Sequence, residues 1–288
     1  MLYHQYNLII LTCSGLANRL KPILSGIRLA HISHRNLYIH WNTAQTISPL
    51  EDKEPQAPKY ESESRTIPFD GDWCDFFRYD IQRSHHEMCT GPGVKTCVET
   101  IPREGTGTYL CRYAFRFIRF DDEPVMDFLE HDKLSLAQHI LKADILRFLP
   151  RLEPTPRLCQ TISSFANANG INRSTVGIHL RRNHPSTTKI PLRTYISALD
   201  KALEQKRNVL LATDSPEVEA LFKARYRDRL VFHSKGDRFR GNRTAIEDAI
   251  IDLFLLAKVG HLIGSWGSSF SDLAWWLGGC RASNEYVK

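Results

Sequence analysis

The segment STVGIHLRRN, residues 174–183, runs a short apolar strand directly into two arginines. Val176, Ile178 and Leu180 recur at every second position, as in a buried β-strand. Arg181 and Arg182 then fall at its carboxyl end, where open α/β sheets place their ligand crevice. A guanidinium presents five donors in a planar fork that matches phosphate oxygens two at a time. Two of them at a strand end imply an anionic ligand, above all a phosphate. A solvated strand end, or a salt bridge to a carboxylate, is the plainer alternative.

Four other stretches place chemically useful groups at element ends. SGLANRL (14–20) is a strand-to-helix turn whose backbone N–H groups could hold an anion. It has neither the G-x-G-x-x-G pattern nor a P-loop ending, and an ordinary turn satisfied by Asn18 is equally open. ATDSPEVEALF (212–222) ends a strand at Asp214, which, like Ser215, is either a helix cap or a ligand contact. EDAIIDLFLLAKVG (247–260) carries Asp248 and Asp252 four residues apart, on one helix face. Like charges so placed repel unless a cation or donor sits between them. They form either a solvent-facing stripe or carboxylates that accept from a base or an arginine. SWGSSFSDLAWWLGG (265–279) brings Ser268 and Ser269 to a helix start, as caps or as phosphate donors, with Phe270, Leu273, Ala274 and Leu277 expected on the buried face.

Two further patterns suit metals less well. Asp70-Gly71-Asp72 has the form of a metal-binding Asp-x-Asp but no strand before it, and reads as an acidic turn. Cys74, His85, His86, Cys89 and Cys97 match no standard zinc spacing. No metal site is expected, and a serine-hydrolase elbow, G-x-S-x-G, is absent.

These groups need elements to position them. NLIILT (7–12), a helical pattern over residues 14–35 that starts or bends near Pro22, and NLYIHW (36–41) make a βαβ unit. Residues 42–68 read as an excursion and 69–106 as irregular; 107–120 reads as one long strand and 125–149 as one or two helices. Pro154 and Pro156 punctuate a linker before a helix near 157–169. Strands at 175–180, 208–213, 229–233 and 261–265 then alternate with helices to residue 277. The fold class is α/β: two Rossmann-like domains, residues 1–153 and 154–288, with parallel sheets facing a cleft.

The 288 residues are 42% hydrophobic and 24% charged, enough for packed cores. A net charge of +6 suits anionic small ligands without marking a nucleic-acid binder. No apolar run is long enough for a membrane span, and seven scattered cysteines fit reduced thiols. The expected setting is soluble and cytoplasmic.

GIHLRRN, ATDSPE, the apolar helix with Asp252 and GSSFSDLAWW occur in an order that resembles the GDP-fucose-dependent fucosyltransferase superfamily. The likeness is to the nodulation-type and core α1,6 enzymes, with some α1,2 character at the SSFS…WW ending. It implies a GT-B fold and metal-independent, inverting transfer of fucose from GDP-fucose to a glycan acceptor, with no other cofactor. It also implies an N-terminal acceptor side and a C-terminal donor side. By the same resemblance Arg181 holds the donor diphosphate and is the catalytic residue. His179 and Asp252 meet the guanine, Ser268 or Ser269 the β-phosphate, and Asn18 and Gly15 the sugar end, with Arg182 and Asp214 beside them. The core-type enzymes continue their arginine pair with Asp-Lys and then a Glu. Here Asn183, His184, Pro185 and Ser186 follow. A non-catalytic nucleotide- or glycan-binding protein, or a transferase of another nucleotide sugar, is the alternative.

Overall fold

The computed structural model describes residues 6–12, 15–41, 70–84, 88–89, 93–97, 99–112, 117–126, 134–182, 189–203, 208–236 and 241–288. The excursion at 42–68, Ser14, His85, His86 and Asn183 to Ser186 lie outside them. The chain divides into two compact units, residues 1–155 with 240–243 and residues 156–239 with 244–288.

In the first unit, β1 (Asn7–Leu11) pairs in parallel with β2 (Asn36–His40) on one side and β6 (Thr108–Arg112) on the other. Strands β3 (Gln82–Arg83) and β4 (Val94–Cys97) complete the order β3-β2-β1-β6-β4. A separate parallel pair joins β5 (Thr100–Ile101) to β7 (Arg119–Phe120). The long strand expected over 107–120 is therefore β6 and β7, which belong to different sheets.

Helix α1 (Leu16–Ser33) runs through Pro22 rather than starting there. A proline inside a helix costs about 3 kcal/mol. The helix withstands it because its residues from Leu16 to Ala30 are almost all buried, so tertiary packing overrides local preference. Asp72 opens the short helix α2 (Trp73–Phe76) with Asp75 in a reciprocal cap, so the Asp70–Asp72 segment is an acidic turn. Buried Arg28 on α1 binds Glu123 and Asp144, which fastens α1 to the later helix α3 (Leu136–Phe148). Ser135 and Gln138 form the capping box that starts α3, well inside the helical stretch expected from Val125.

The second unit begins with α4 (Pro156–Ala168). Its sheet is fully parallel, in the order β10-β9-β8-β11-β12. The strands are β8 (Val176–Leu180), β9 (Val209–Thr213), β10 (Leu230–Val231), β11 (His261–Ser265) and β12 (Ser283–Val287). Helices α5 (Leu192–Leu203), α6 (Pro216–Tyr226), α7 (Arg243–Leu256) and α8 (Ser269–Leu277) connect them. The core here joins Val176, Ile178 and Leu180 to Tyr195, Leu199, Leu211 and Phe222.

Candidate active site at the switch point of the second sheet

The chain builds the second sheet outward from β8 in two directions. It goes to β9 and β10 first, then returns to add β11 and β12 on the other side. Parallel sheets bind ligands where the order reverses, at the carboxyl ends of the two central strands. Those ends are Arg181–Arg182 after β8 and Trp266–Ser269 after β11, the two segments singled out from the sequence.

Alternation along β8 puts His179 and Arg181 on one face and Leu180 and Arg182 on the other. Arg182 is held: its backbone N–H donates to Asp214 Oδ1 at 2.6 Å and its side chain to the Ile190 carbonyl at 3.0 Å. Asp214 thus fixes the turn after β8, while Ser215 caps α6 by accepting from the Val218 N–H. Ser215 is therefore the helix cap, and Asp214 tethers the turn after β8, a role that neither sequence alternative named.

His179 is buried, and its ring stacks on Phe270 with centroids 4.6 Å apart. Its Nδ1 lies 2.8 Å from Ser271 Oγ and 3.4 Å from Ser268 Oγ. Burial, then the charges of Arg181 and Lys235, push its pKa down to about 3, so the ring is neutral at physiological pH. The residues opposite it stand on α8. Ser268 occupies the N-cap position without capping the helix; its hydroxyl turns to His179 instead. Gly267, with φ +72°, makes the turn that leads into it. Ser269 is the first residue of the helix, where backbone N–H groups lack helical acceptors. The buried face of α8 corrects the sequence expectation. Ser271, Asp272, Trp275 and Trp276 are buried with Leu273 and Ala274, whereas Phe270 and Leu277 are only half-buried. The helix packs on nearly all sides, which a single-stripe pattern does not anticipate.

Gly264 lets α8 approach β11 this closely. A Cβ there would stand 2.5 Å from both Cβ and Oγ of Ser271. Gly264→Ala should therefore destabilise the protein by roughly 1–3 kcal/mol, as overpacking does, and push Ser271 from His179. A thermal melt that matches the parent protein would contradict this.

Asp248 and Asp252 on α7 are both buried, not a solvent stripe. Donors meet them from the loop after β10. The Gly236 N–H donates to Asp248 Oδ2 at 2.9 Å, and His233 Nδ1 lies 3.6 Å from Asp248 Oδ1. Lys235 Nζ lies 3.0 Å from Asp252 Oδ2 and 3.7 Å from Glu219 of α6. The cation that the i, i+4 spacing demanded is a lysine rather than an arginine. Asp252 Oδ1 is buried and has no hydrogen-bond partner. Burial raises the Asp252 carboxyl, and Lys235 opposes the rise.

Gly15 and Asn18 stand at the start of α1 in the first unit, Gly15 as its N-cap and Asn18 half-buried in the first turn. The structure brings His179, Ser268, Ser271 and Phe270 together, and Arg182 with Asp214. Phe270 was expected only to pack, and Ser271 and Lys235 carried no sequence signal beyond a serine-rich helix start and a charged loop. Among the described residues, no group of three or more His, Cys, Asp or Glu is placed to hold a metal ion, and no helix is long and apolar enough to cross a membrane. None of the six described cysteines is in a disulfide.

No family model matches the sequence, and no curated protein does. Solved structures do match. A NodZ α-1,6-fucosyltransferase soaked with GDP-fucose aligns with a TM-score of 0.59 at 15% identity, covering 95% of this chain and 93% of that one. Fucosyltransferase NodZ from Bradyrhizobium gives 0.56 at 16%, over 94% and 93%. A point mutant of Arabidopsis thaliana FUT1 in complex with GDP gives 0.57 at 12%, over 96% of this chain and 69% of that one. At such identities the likeness is one of fold: a GT-B-like pair of Rossmann-like units.

Proposed function

We propose that this chain, whose fold is that of the GDP-fucose fucosyltransferase superfamily, transfers fucose from GDP-fucose to a glycan acceptor with inversion and without a metal ion. The observation that carries the reading is the placement of Arg181 and the Ser268–Ser269 helix start at the ends of adjacent strands, at the switch point of the sheet. In the proposed reaction the bond from the sugar to the diphosphate breaks, and the bonding pair leaves with the β-phosphate. Arg181 and the N–H groups at the start of α8 stabilise that growing charge, as preorganised donors do. Neutral His179 is held by the serines on α8 beside it. Asp252 accepts from the guanine, and Arg182 and Asp214 hold the turn that presents Arg181. For Gly15 and Asn18 the proposal rests on the sequence resemblance. Residues 154–288 take the donor and residues 1–153 the acceptor side.

Incubation with GDP-fucose, GDP-mannose and UDP-sugars over a glycan array, with release of GDP or UDP as the readout, tests this directly. GDP-fucose turnover is expected, and it should survive EDTA, because an arginine and helix-start N–H groups supply the countercharge. Loss of turnover in EDTA and its return with manganese would reverse that expectation.

A second reading has one observation behind it. Where core-type enzymes carry Asp-Lys and a Glu after the arginine pair, this sequence has Asn183, His184, Pro185 and Ser186. A protein that binds GDP tightly yet releases none from GDP-fucose on any acceptor would be a nucleotide-binding member of the same fold.

A further inference from the structure

The loop from Phe232 to Gly236 lies along one face of α7 and meets its two buried carboxylates in turn. This contact has a division of labour within it. Asp248 receives a backbone N–H from Gly236, which fixes the loop. Asp252 forms an ion pair with the Lys235 ammonium through Oδ2, while Oδ1 is buried without a hydrogen-bond partner. The Lys235 side chain is itself only 9% exposed, so the pair is poorly screened by solvent.

We propose that Lys235 is a positioning residue for nucleobase recognition: it keeps Asp252 ionised and occupies Oδ2, so that Oδ1 is left to accept an N–H from a base. The proposal rests on the reading of GDP as the donor nucleotide. A buried carboxylate without a countercharge takes up a proton instead of staying ionised. Among the described residues, these charged groups face Asp252. Lys235 and His233 approach from the loop and Asp248 from one turn earlier on α7, with Glu219 of α6 behind Lys235. His233 is engaged with Asp248, and both carboxylates add negative charge. Among the described residues Lys235 is thus the cation paired with Asp252, and removing it leaves Asp248, Asp252 and Glu219 together. The protonated Asp252 that would result accepts only as a neutral carbonyl, more weakly than a carboxylate, and adds an O–H donor where a guanine presents donors. Lys235 also acts at the β8 end, where its charge, together with Arg181, disfavours protonation of buried His179.

The test combines ligand-free and ligand-bound measurements on Lys235→Met, Lys235→Gln and Lys235→Arg, each checked for folding by its melt. Carbon NMR of the Asp252 carboxyl, without nucleotide, should show a higher titration midpoint in Lys235→Met and Lys235→Gln and a return toward the parent in Lys235→Arg. Calorimetry with GDP should show affinity about 10-fold or more weaker in the two uncharged variants at neutral pH, from loss of one charged hydrogen bond. The weakening should shrink as the pH is raised, since Asp252 then ionises without help. An Asp252 midpoint unchanged by Lys235→Met, or by Lys235→Gln if only that variant folds, overturns the role of Lys235 and leaves the GDP reading standing. Absence of GDP binding in the parent protein overturns the GDP reading, and with it the assignment of Oδ1 to a base, even where the carboxyl titrates as expected.

Discussion

Replacing Arg181 by alanine should slow sugar transfer by about 100- to 1,000-fold, the usual loss when one preorganised charge-stabilising donor is removed. The protein should melt close to the parent. The two expectations come from the same geometry. Arg181 follows the last residue of β8, shares a face with buried His179, and lies within electrostatic reach of it together with Lys235. Arg181 is only half-buried at that strand end, so removing it opens no apolar core, while it takes away a cation that a diphosphate bound there would need. Lysine at the same position keeps the charge but gives up the planar fork. With charged hydrogen bonds at about 1.5–3 kcal/mol, losing one should slow transfer by roughly 10- to 150-fold. Turnover and melting measured on the same preparations decide the matter. An alanine variant that turns over normally with an unchanged melt would remove Arg181 from the reaction.

What was legible in the sequence was local. The strand over 176–180 follows from apolar residues at every second position, and its charged end follows from the two arginines in series. The start of α8 follows from Ser268 and Ser269 before an apolar helix. The alternation of strands and helices puts both segments at carboxyl ends of parallel strands, while the order that makes β8 and β11 neighbours is set by the fold. What escaped was set by partners far along the chain. His179 and Ser271 are 92 residues apart, and nothing near His179 says that a serine will face its ring. Lys235 sits in a charged loop that looks solvated until α7 is laid beside it. Strands β4 and β12 were missed because edge strands need little apolar character: Ser283 and Glu285 are exposed, and only Val287 of β12 is buried. Pro22 is the opposite case: a local signal for a helix start gave way to the burial around it, and the helix already begins at Leu16.

Asp252→Asn should cost GDP roughly 10- to 150-fold in affinity, the worth of one charged hydrogen bond, and should strengthen ADP binding. The parent carboxylate accepts on both oxygens, Oδ2 from Lys235 and Oδ1, on the proposed reading, from the guanine. An amide of the same shape has one acceptor and one donor end. If its oxygen stays with Lys235, its NH2 meets the N–H groups of guanine donor to donor. If it flips, the NH2 meets the ammonium instead. Adenine has a lone pair at N1 where guanine has a hydrogen. The carboxylate therefore repels it, while the amide NH2 can donate to it. The GDP-over-ADP preference should accordingly collapse in Asp252→Asn. The pH dependence has a sign that separates binding from folding. Burial raises the Asp252 carboxyl, with Lys235 in opposition. As pH rises from the ordinary carboxylate range, the unfolded chain ionises this group first, so the stability it costs the fold sets in there and is complete above the raised value. GDP affinity runs the other way: the ionised acceptor exists above that value and is lost as pH falls through it. Asp252→Asn should abolish both slopes. Calorimetry with GDP and ADP across this pH range, beside melts of both proteins, tests the pair together, and a variant that keeps the parent's preference for GDP would show that the base is read elsewhere.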